Sequence, residues 1–145
     1  MSPLRYVEKE DYSKGVIELL AQLTSIDKRH ISQQQFSEFV NSLDSNPHHK
    51  IFVLEQHSHI IGIGTIVCEQ KLIHNLGLVG HIEDIVVDKH HRNAGIGFSI
   101  IERLTHYAKQ QGCYKVILDC NEKNVHFYEK CGYQRHGVEM AKYFE

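Results

Sequence analysis

The sequence of 145 residues predicts a mixed α/β fold (α+β) in which helices flank a sheet. Short apolar runs of strand length alternate along the chain with segments whose apolar residues recur at helical spacing, and this alternation is typical of α+β domains. The length fits one compact domain spanning residues 1–145. The hydrophobic content of 41% can fill a core, and no apolar run approaches the length of a membrane-spanning helix.

The first half of the chain predicts a short strand, two helices and a β-hairpin. Apolar residues at helical spacing begin near Asp11. Ser32 followed by Gln35 is the pattern of a capping box at the start of a second helix, and Pro47 follows the end of that helix. Residues 56–59 form the polar tip of the hairpin. The predicted strands of this half cover residues 4–7, 51–55 and 60–70.

The second half predicts two strands, a long helix, a short helix and a final extended segment. The first of these strands, residues 80–87, is strongly apolar but contains two adjacent acids, Glu83 and Asp84. Gly112 is well placed to end the long helix, and Gly132 to end the short one. In chain order, the predicted elements cover residues 80–87, 95–111, 116–120, 124–130 and 133–144.

Composition excludes several classes of protein. The formal net charge of −2 gives no electrostatic basis for binding nucleic acid. The chain has four cysteines and no C-x-x-C pair, so we expect reduced thiols rather than a zinc cluster. The twelve histidines include no H-E-x-x-H spacing, so we predict surface histidines and no metal site.

The ends of the chain carry no targeting signal that we recognise. The N-terminus lacks the apolar stretch of a secretory signal, and the C-terminus matches no common organelle address. We therefore expect a cytoplasmic protein that binds no membrane, with a peroxisome-like organelle as the alternative compartment.

The most informative short segment is R-N-A-G-I-G at residues 92–97, between a predicted strand and a predicted helix. Glycines let the backbone approach a ligand closely, and the first amides of a helix have no partner within the helix. Together with the helix dipole, such amides bind anions, and a pyrophosphate suits them. The segment differs from G-x-G-x-x-G and from a P-loop, and by itself it is also compatible with an ordinary turn before a helix.

R-x-x-G-x-G after an apolar strand resembles the CoA-binding signature of the GNAT superfamily of N-acetyltransferases. Two longer segments resemble glucosamine-6-phosphate N-acetyltransferases within that superfamily. They are EQKLIHNLGLVGHIEDIVV at residues 69–87 and GCYKVILDCNEKNVHFYEKCGY at residues 112–133. With a weaker match at the N-terminus, the resemblance covers nearly the whole chain.

The resemblance implies a GNAT fold, with a twisted, mostly antiparallel mixed sheet that is split where CoA enters between the fourth and fifth strands. It implies transfer of acetyl from acetyl-CoA, as cosubstrate and without a metal, to the amine of glucosamine 6-phosphate, a step of UDP-N-acetylglucosamine biosynthesis. It also implies a homodimer.

The same resemblance assigns residues to the two substrates. The backbone of three strand residues would hold the pantetheine arm of CoA: Ile85, Val86 and Val87. The pyrophosphate would be surrounded by Arg92, Asn93, Ala94, Gly95, Ile96, Gly97 and Phe98. Asn124 would help to position CoA, and Tyr128 would lie near the thioester sulfur. The sugar side would comprise Thr24, Lys71, Leu72, Ile73, His74, Glu83, Asp84, Asp119 and Cys120.

The chemistry of acetyl transfer supports some of these roles separately. Glu83 and Asp119 lie on predicted strands where apolar residues are expected, and substrate hydroxyls or an amine would provide partners for their charges. Backbone amides of residues 83–87 can stabilise an oxyanion. A tyrosine such as Tyr128 is protonated at neutral pH and can donate to a departing thiolate. Cys120 has no evident histidine or lysine partner, so it is interpreted as a small hydrophobic residue.

Each of these residues also has a structural interpretation. Glu83 and Asp119 could pair with buried basic side chains, and Tyr128 could be a core aromatic residue of a short helix. Lys71 could be a solvated lysine at a strand end, and His74 could cap a turn. The sequence resemblance favours the functional roles of Glu83, Asp119 and Tyr128.

The sequence departs from the family near the C-terminus, where an arginine is expected to bind the sugar phosphate. Residues 139–144 contain no arginine, and Lys142 is their only strong cation. Lysine supplies a point charge without the bidentate geometry of arginine. We predict that Lys142 reaches the sugar phosphate from the partner chain of a dimer.

Two other functions are compatible with the motifs. The chain could be a GNAT enzyme that acetylates another small-molecule or protein amine, or a catalytically silent module that binds acyl-CoA. Tyr128 and the paired acids argue against the silent module, and the resemblance over the whole chain argues against other amines.

Overall fold

A computed structural model describes residues 4–26 and 31–144. Within these residues, five strands form one sheet in chain order, β1-β2-β3-β4-β5. The first three pairings are antiparallel, and β4 and β5 are parallel. The strands are β1 Arg5–Tyr6, β2 His49–Gln56, β3 His59–Gln70, β4 Leu78–Val87 and β5 Cys113–Ile117. The predicted mixed, mostly antiparallel sheet is confirmed.

Helices lie on both faces of this sheet. They are α1 Val16–Leu20, α2 Gln33–Asp44, the single turn α3 Ile73–Leu76, α4 Ile96–Gln110 and α5 Val125–Lys130. The predicted capping box of α2 is confirmed, since the Ser32 hydroxyl accepts from the Gln35 amide and the Gln35 side chain accepts from the Ser32 amide. No helix in the described residues is both long and apolar enough to cross a membrane.

The first predicted helix is divided into two parts. The apolar periodicity that begins near Asp11 covers a 3₁₀ helix, Lys9–Lys14, and then α1, with Gly15 between them at φ 85°. Asp11 is fully buried and accepts two hydrogen bonds from Arg5, at 2.8 and 3.0 Å. The 3₁₀ helix therefore keeps a buried carboxylate paired, which an uninterrupted periodic pattern does not reveal.

Two hydrophobic clusters hold the layers together. On one face, Ile100, Ile101 and Leu104 of α4 are fully buried against Ile66 and Ile82 of the sheet. The opposite face buries α1 and α2, including Val16, Leu19 and Val40, against Val53 and Ile63. Burying each such side chain contributes roughly 1.5–3 kcal/mol, so packing on both faces fixes the position of the central strands.

The sheet opens between β4 and β5. The two strands pair only over four residues of β4, from Leu78, which lies opposite Cys113, to His81, which lies opposite Ile117. Beyond His81, β4 continues to Val87 alongside β3 alone. The second half of β4 therefore has a free edge on the side of β5, as the predicted split between the fourth and fifth strands requires.

A β-bulge shapes this half of β4. Ile63 lies opposite Val86 and Thr65 lies opposite Glu83, so β4 contains one residue more than β3 across this interval. Asp84 has φ 53°, an uncommon value for a residue with a side chain. In a regular strand, side chains alternate between the two faces, so Asp84 would share a face with buried Ile82. Because of the bulge, Glu83 and Asp84 are both exposed.

The last two predicted elements differ from the structure. The strand predicted at residues 116–120 is observed as β5 Cys113–Ile117, so Asp119 follows the strand instead of lying on it. Residues 133–144 pair with no described strand, and Val138, Met140, Tyr143 and Phe144 are at least 86% exposed. The predicted helix after β5 is confirmed as α5.

Candidate active site

The free edge of β4 contains the three strand residues predicted to hold pantetheine. Val86 is buried, and Ile85 and Val87 are half-buried. In an antiparallel pair, alternate backbone groups point away from the partner strand. The groups of this segment that point away from β3 therefore face the opening, where an extended ligand can pair with them as a further strand does.

The predicted pyrophosphate loop lies directly after this edge. Residues 92–95 are exposed, Gly95 is the N-cap of α4 at φ 77°, and Asn93 also has a positive φ. A Cβ added at Gly95 would meet no atom within 4 Å, so there is open space over the first turn of α4. Free amides, the dipole of a 15-residue helix and this open space together suit a phosphate group.

The gap between α4 and α5 is narrow at Gly97. A Cβ there would lie 3.2 Å from Phe127 Cζ and 3.8 Å from Val87 Cγ2. Phe98 on the next position is 44% exposed, whereas Ile96 is buried in the core. Ile96 therefore anchors the loop in the core, whereas the exposed residues of the loop line the approach to β4.

Three predicted acids meet at the opening. Partial loss of hydration, followed by the charges of Asp84 and Asp119, raises the pKa of the Glu83 carboxyl, and Glu139 of the tail acts in the same direction. Glu83 and Asp84 lie on the bulge, and Asp119 follows the end of β5. The structure therefore brings together carboxylates from both sides of the split, and a positively charged ligand would relieve their repulsion.

Tyr128 lies on α5 with its ring against the hydrophobic cluster of α4. It contacts the rings of Phe127 and Tyr133, with centroids 5.0 and 6.5 Å away. Burial raises the pKa of the Tyr128 hydroxyl, so it is protonated at neutral pH. This hydroxyl makes no hydrogen bond with any described residue, which leaves it available as a donor.

Cys120 is close enough to Tyr128 for their charges to interact. Loss of hydration raises the pKa of the Cys120 thiol, which opposes formation of a thiolate. The interpretation of Cys120 as a non-nucleophilic residue remains a prediction, and this pKa supports it. Asn124, at the start of α5, is exposed.

The predicted sugar loop has an unusual backbone. His74, Asn75 and Leu76 have φ values of 53°, 58° and 62°, so three consecutive residues adopt the left-handed conformation. The loop is closed by a 2.8 Å hydrogen bond from the Lys71 amide to the Gly77 carbonyl. Such strain costs of order 1 kcal/mol or more per residue and is concentrated at functional sites.

Side chains of this loop point in different directions. The His74 ring stacks on Tyr114 at 4.0 Å, and Lys71 Nζ lies 3.3 Å from Glu69 Oε1. Leu72 and Ile73 are 88% and 61% exposed. Their exposure is more typical of a surface that another molecule covers than of a folded core.

Thr24 is exposed and follows α1, at the other end of β4. Its segment is fixed by Gln22, whose side chain donates to Asp88 Oδ1 at 2.8 Å and accepts from the Lys89 amide at 3.0 Å. Sequence reasoning missed Gln22, because a single glutamine gives no signal of a contact 66 residues away.

Lys142 lies in the exposed tail and makes no hydrogen bond or ion pair with another described residue. Arg135, where the tail begins, is paired through two nitrogens with Glu122. Among the described residues of a single chain, Lys142 therefore forms no ion pair with the acids of the opening.

Sequence reasoning also missed His81. Its Nε2 lies 2.9 Å from Glu69 Oε1, and it precedes Glu83 by two residues, before the bulge. The two-residue spacing within a strand was the available signal, since it places both side chains on one face. Within residues 4–26 and 31–144, no group of three or more histidine, cysteine or acidic side chains could hold a metal ion.

Comparisons with known proteins agree with this arrangement. The sequence model of the family described as the acetyltransferase (GNAT) family matches residues 14–133. The chain belongs to this GNAT family of acetyltransferases.

Among its relatives are two named glucosamine 6-phosphate N-acetyltransferase. The one from Arabidopsis thaliana is 39% identical over 98% of this chain and 96% of its own length, and the one from Candida albicans is 40% identical over 94% and 92%. A crystal structure of the Arabidopsis thaliana enzyme superimposes with a TM-score of 0.94, covering 98% of this chain and 97% of that one. The resemblance predicted from the sequence is confirmed.

Proposed function

We propose that this chain transfers the acetyl group of acetyl-CoA to the amine of D-glucosamine 6-phosphate, giving N-acetyl-D-glucosamine 6-phosphate and CoA. The observation that carries the proposal is the meeting of three carboxylates, from β4 and from the end of β5, at the free edge of β4. It is supported by relatives of that name at about 40% identity over nearly the whole chain.

Backbone groups at the opening support the binding of acetyl-CoA. Residues 85–87 would pair with the pantetheine arm, and the amides of residues 92–98 would hold the pyrophosphate, with Asn124 on the side of α5. The open space at Gly95 and the missing Cβ at Gly97 leave room for this approach. Acetyl-CoA acts here as the acyl donor.

The acids would bind and orient the substrate amine. An amino-sugar amine titrates roughly like an α-amino group, near pH 8, so at neutral pH most of it is an ammonium. Glu83 and Asp119 would hold this ammonium beside the thioester, and Asp84 and Cys120 would border the sugar. As the amine attacks the carbonyl carbon, free amides of residues 83–87 would stabilise the developing oxyanion.

Tyr128 would complete the transfer by protonating the leaving sulfur. Its hydroxyl remains protonated at neutral pH and has no competing partner among the described residues. Because thiolate is a poorer leaving species than thiol, one donor at the sulfur would accelerate the collapse of the tetrahedral adduct.

The remaining sugar contacts would come from one segment of this chain and from a second copy. Lys71, Leu72, Ile73 and His74 would border the sugar from one subunit, and Thr24, at the other end of β4, would do so from the second copy. In the proposed homodimer, the exposed tail crosses to the partner, and Lys142 supplies the charge for the sugar phosphate. We further propose that residues 1–145 act as a single domain.

An acetylation assay with a panel of amines tests the proposal. The panel comprises glucosamine 6-phosphate, glucosamine, a polyamine and a peptide with a free N-terminus, with release of the CoA thiol as the readout. We expect the highest kcat/KM with glucosamine 6-phosphate. A preference for another amine, or binding of acetyl-CoA without turnover, would refute the proposal in favour of another GNAT substrate or a silent binding module.

A further inference from the structure

The pair formed by Glu69 and His81 lies beside the acids of the opening and has no role in the transfer described so far. His81 lies on β4 directly opposite Val67 of β3, and Glu69 is two residues further along β3. Their side chains meet diagonally across the two strands, with 2.9 Å between His81 Nε2 and Glu69 Oε1. Because a carboxylate only accepts, Nε2 carries the proton of this hydrogen bond.

The other ring nitrogen of His81 is therefore a free acceptor. In the neutral ring, Nδ1 then holds a lone pair, and it makes no hydrogen bond within the described part of the chain. The His81 side chain is 27% exposed, so protons can exchange with solvent. A carboxylate that fixes one nitrogen of a histidine and leaves the other free is the usual arrangement of a general base.

His81 is also in electrostatic contact with the proposed amine site. His81 precedes Glu83 by two residues, and both pair with β3 before the bulge, so their side chains project from the same face of β4. A positive charge on His81 opposes the rise of the Glu83 pKa, which agrees with this placement. Beside His81 lies Glu69, which also pairs with Lys71, and Lys115 lies on the neighbouring strand two residues before Ile117, the partner of His81. Asp84, Asp119 and Glu139 act on Glu83.

We propose that His81, oriented by Glu69, accepts the proton that the substrate ammonium must lose before it can attack acetyl-CoA. An N–H bond of the ammonium breaks, its electron pair stays on the amine nitrogen, and the proton bonds to Nδ1 of His81. The Nε2–H continues to donate to Glu69. The imidazolium then releases the Nδ1 proton to water, which accounts for the one net proton that acetylation of an ammonium liberates.

This inference rests on the proposed function and adds a base to it. The structural alternative is a diagonal cross-strand pair that ties β3 to β4, worth at most about 1 kcal/mol. The two roles differ in their dependence on pH. A base is needed at pH 7, where the amine is mostly protonated, and becomes dispensable above pH 8, where solution already supplies the free amine. Loss of a structural contact would have the same effect at every pH.

The test compares His81→Gln with the wild type between pH 6 and 9, using glucosamine 6-phosphate and saturating acetyl-CoA. We expect kcat/KM for the sugar to fall roughly 10- to 100-fold at pH 7 and the deficit to shrink several-fold by pH 9. Calorimetry should give an unchanged Kd for acetyl-CoA. The matched control is His106→Gln, on the exposed face of α4, which should follow the wild type at every pH.

Glu69→Gln provides a second, independent variant, because it keeps the size of the side chain while removing the charge that orients His81. Its kcat/KM for the sugar should fall less than that of His81→Gln, and the loss should likewise shrink toward high pH. If His81→Gln does not fold, Glu69→Gln alone tests the inference. A deficit that is constant across pH, or no deficit in either variant, overturns the inference while the proposed function stands. A wild type that does not acetylate glucosamine 6-phosphate overturns both.

Discussion

At the scale of single residues, Glu83 stands out because the fold does not need its charge. Its carboxyl has lost hydration and faces Asp84, Asp119 and Glu139, and all of these raise its pKa. The folded protein therefore binds the Glu83 proton more tightly than the unfolded chain does. The stability contributed by the protonated form is lost as the pH rises through the raised pKa. An enzyme that keeps such a residue trades stability for binding.

Glu83→Gln should make the folded protein more stable and the enzyme less active. The amide cannot ionise, so we expect a higher Tm than the wild type at pH 7 and a smaller difference in Tm at pH 4, because Glu83 becomes protonated as the pH falls through its raised pKa. The kcat should fall roughly 100-fold, because the ammonium loses its partner. Calorimetric melting at the two pH values and steady-state kinetics give the readouts.

A suitable control for this prediction is Glu10→Gln, on the exposed side of the first 3₁₀ helix. It should change neither the pH dependence of Tm nor kcat. If Glu83→Gln behaves like this control, Glu83 is an ordinary surface acid.

Tyr128→Phe removes one hydroxyl and leaves the ring packing with Phe127 and Tyr133 intact. Loss of a single donor at the leaving sulfur should lower kcat roughly 10- to 1,000-fold. The Kd for acetyl-CoA and the Tm should change little. Tyr133→Phe, which loses a hydroxyl paired with Thr105 instead, is the matched control and should lose stability without a comparable loss of kcat. Wild-type turnover in Tyr128→Phe would leave Tyr128 as a core aromatic residue only.

Sequence reasoning named Glu83, Asp84, Asp119 and Tyr128, but it missed the Glu69–His81 pair. The family resemblance assigned all four, and Glu83 and Asp119 were also visible because they lie where the strand pattern predicts apolar residues. His81 and Glu69 are twelve residues apart, and their contact exists only because the hairpin register places Val67 opposite His81. A diagonal contact of this kind depends on register, which a pattern along one strand does not specify.

At the scale of the elements, the start of α4 and the free edge of β4 form one continuous surface, on which we propose that CoA binds. Strand β4 is followed by Asp88 and by a short 3₁₀ helix, Lys89–His91, which precedes the loop before α4. The first turn of the helix is therefore held at the end of the free edge.

Substitutions at Gly95 test this surface. Both Asp and Asn tolerate positive φ better than other residues, and nothing lies within 4 Å of a Cβ at this position. Gly95→Asp should weaken acetyl-CoA binding by at least 10-fold in a calorimetric titration, because it adds a negative charge beside the pyrophosphate. Gly95→Asn has nearly the same shape without the charge, and should weaken binding less.

Gly112→Asp is the control at the other end of α4, where φ is 91° and a Cβ also meets nothing within 4 Å. It should leave the Kd for acetyl-CoA unchanged. Equal affinity in Gly95→Asp and the wild type would show that the phosphate lies elsewhere.

The boundaries of the elements show where local patterns stop being sufficient. The apolar run after Gly112 favours a strand at residues 116–120, whereas β5 is Cys113–Ile117. The strand begins earlier because Cys113 pairs with Leu78, and it ends at Ile117 because β4 and β5 diverge after His81. The divergence that creates the opening therefore also leaves Asp119 outside the strand. Because this divergence depends on the pairing of distant residues, the local sequence pattern does not predict it.

At the scale of the whole molecule, the tail and the sugar loop leave large apolar side chains exposed. Val138, Met140, Tyr143 and Phe144 of the tail and Leu72 of the sugar loop are each at least 86% exposed. No arginine or lysine is among the charges that shift the pKa of the Glu83 carboxyl. A second copy whose tail covers the sugar loop would bury the apolar side chains and bring Lys142 to the substrate phosphate.

Lys142→Ala should raise the KM for glucosamine 6-phosphate about 10-fold or more, since a charged hydrogen bond to phosphate is lost. The KM for acetyl-CoA should stay nearly unchanged, and the preference over unphosphorylated glucosamine should narrow. Lys109→Ala, at the exposed end of α4, is the control and should match the wild type. If Lys71→Ala abolishes sugar binding while Lys142→Ala has no effect, or if a monomer is fully active, the shared site is refuted.

The most direct test of the central claim is a crystal structure of the complex with CoA and N-acetyl-D-glucosamine 6-phosphate. The account predicts the pyrophosphate on the amides of residues 92–98, the pantetheine arm along residues 85–87 and the CoA sulfur within hydrogen-bonding distance of the Tyr128 hydroxyl. The acetylated nitrogen should lie between Glu83 and Asp119. Electron density that places CoA outside the opening between β4 and β5, or the sugar away from these carboxylates, would contradict it.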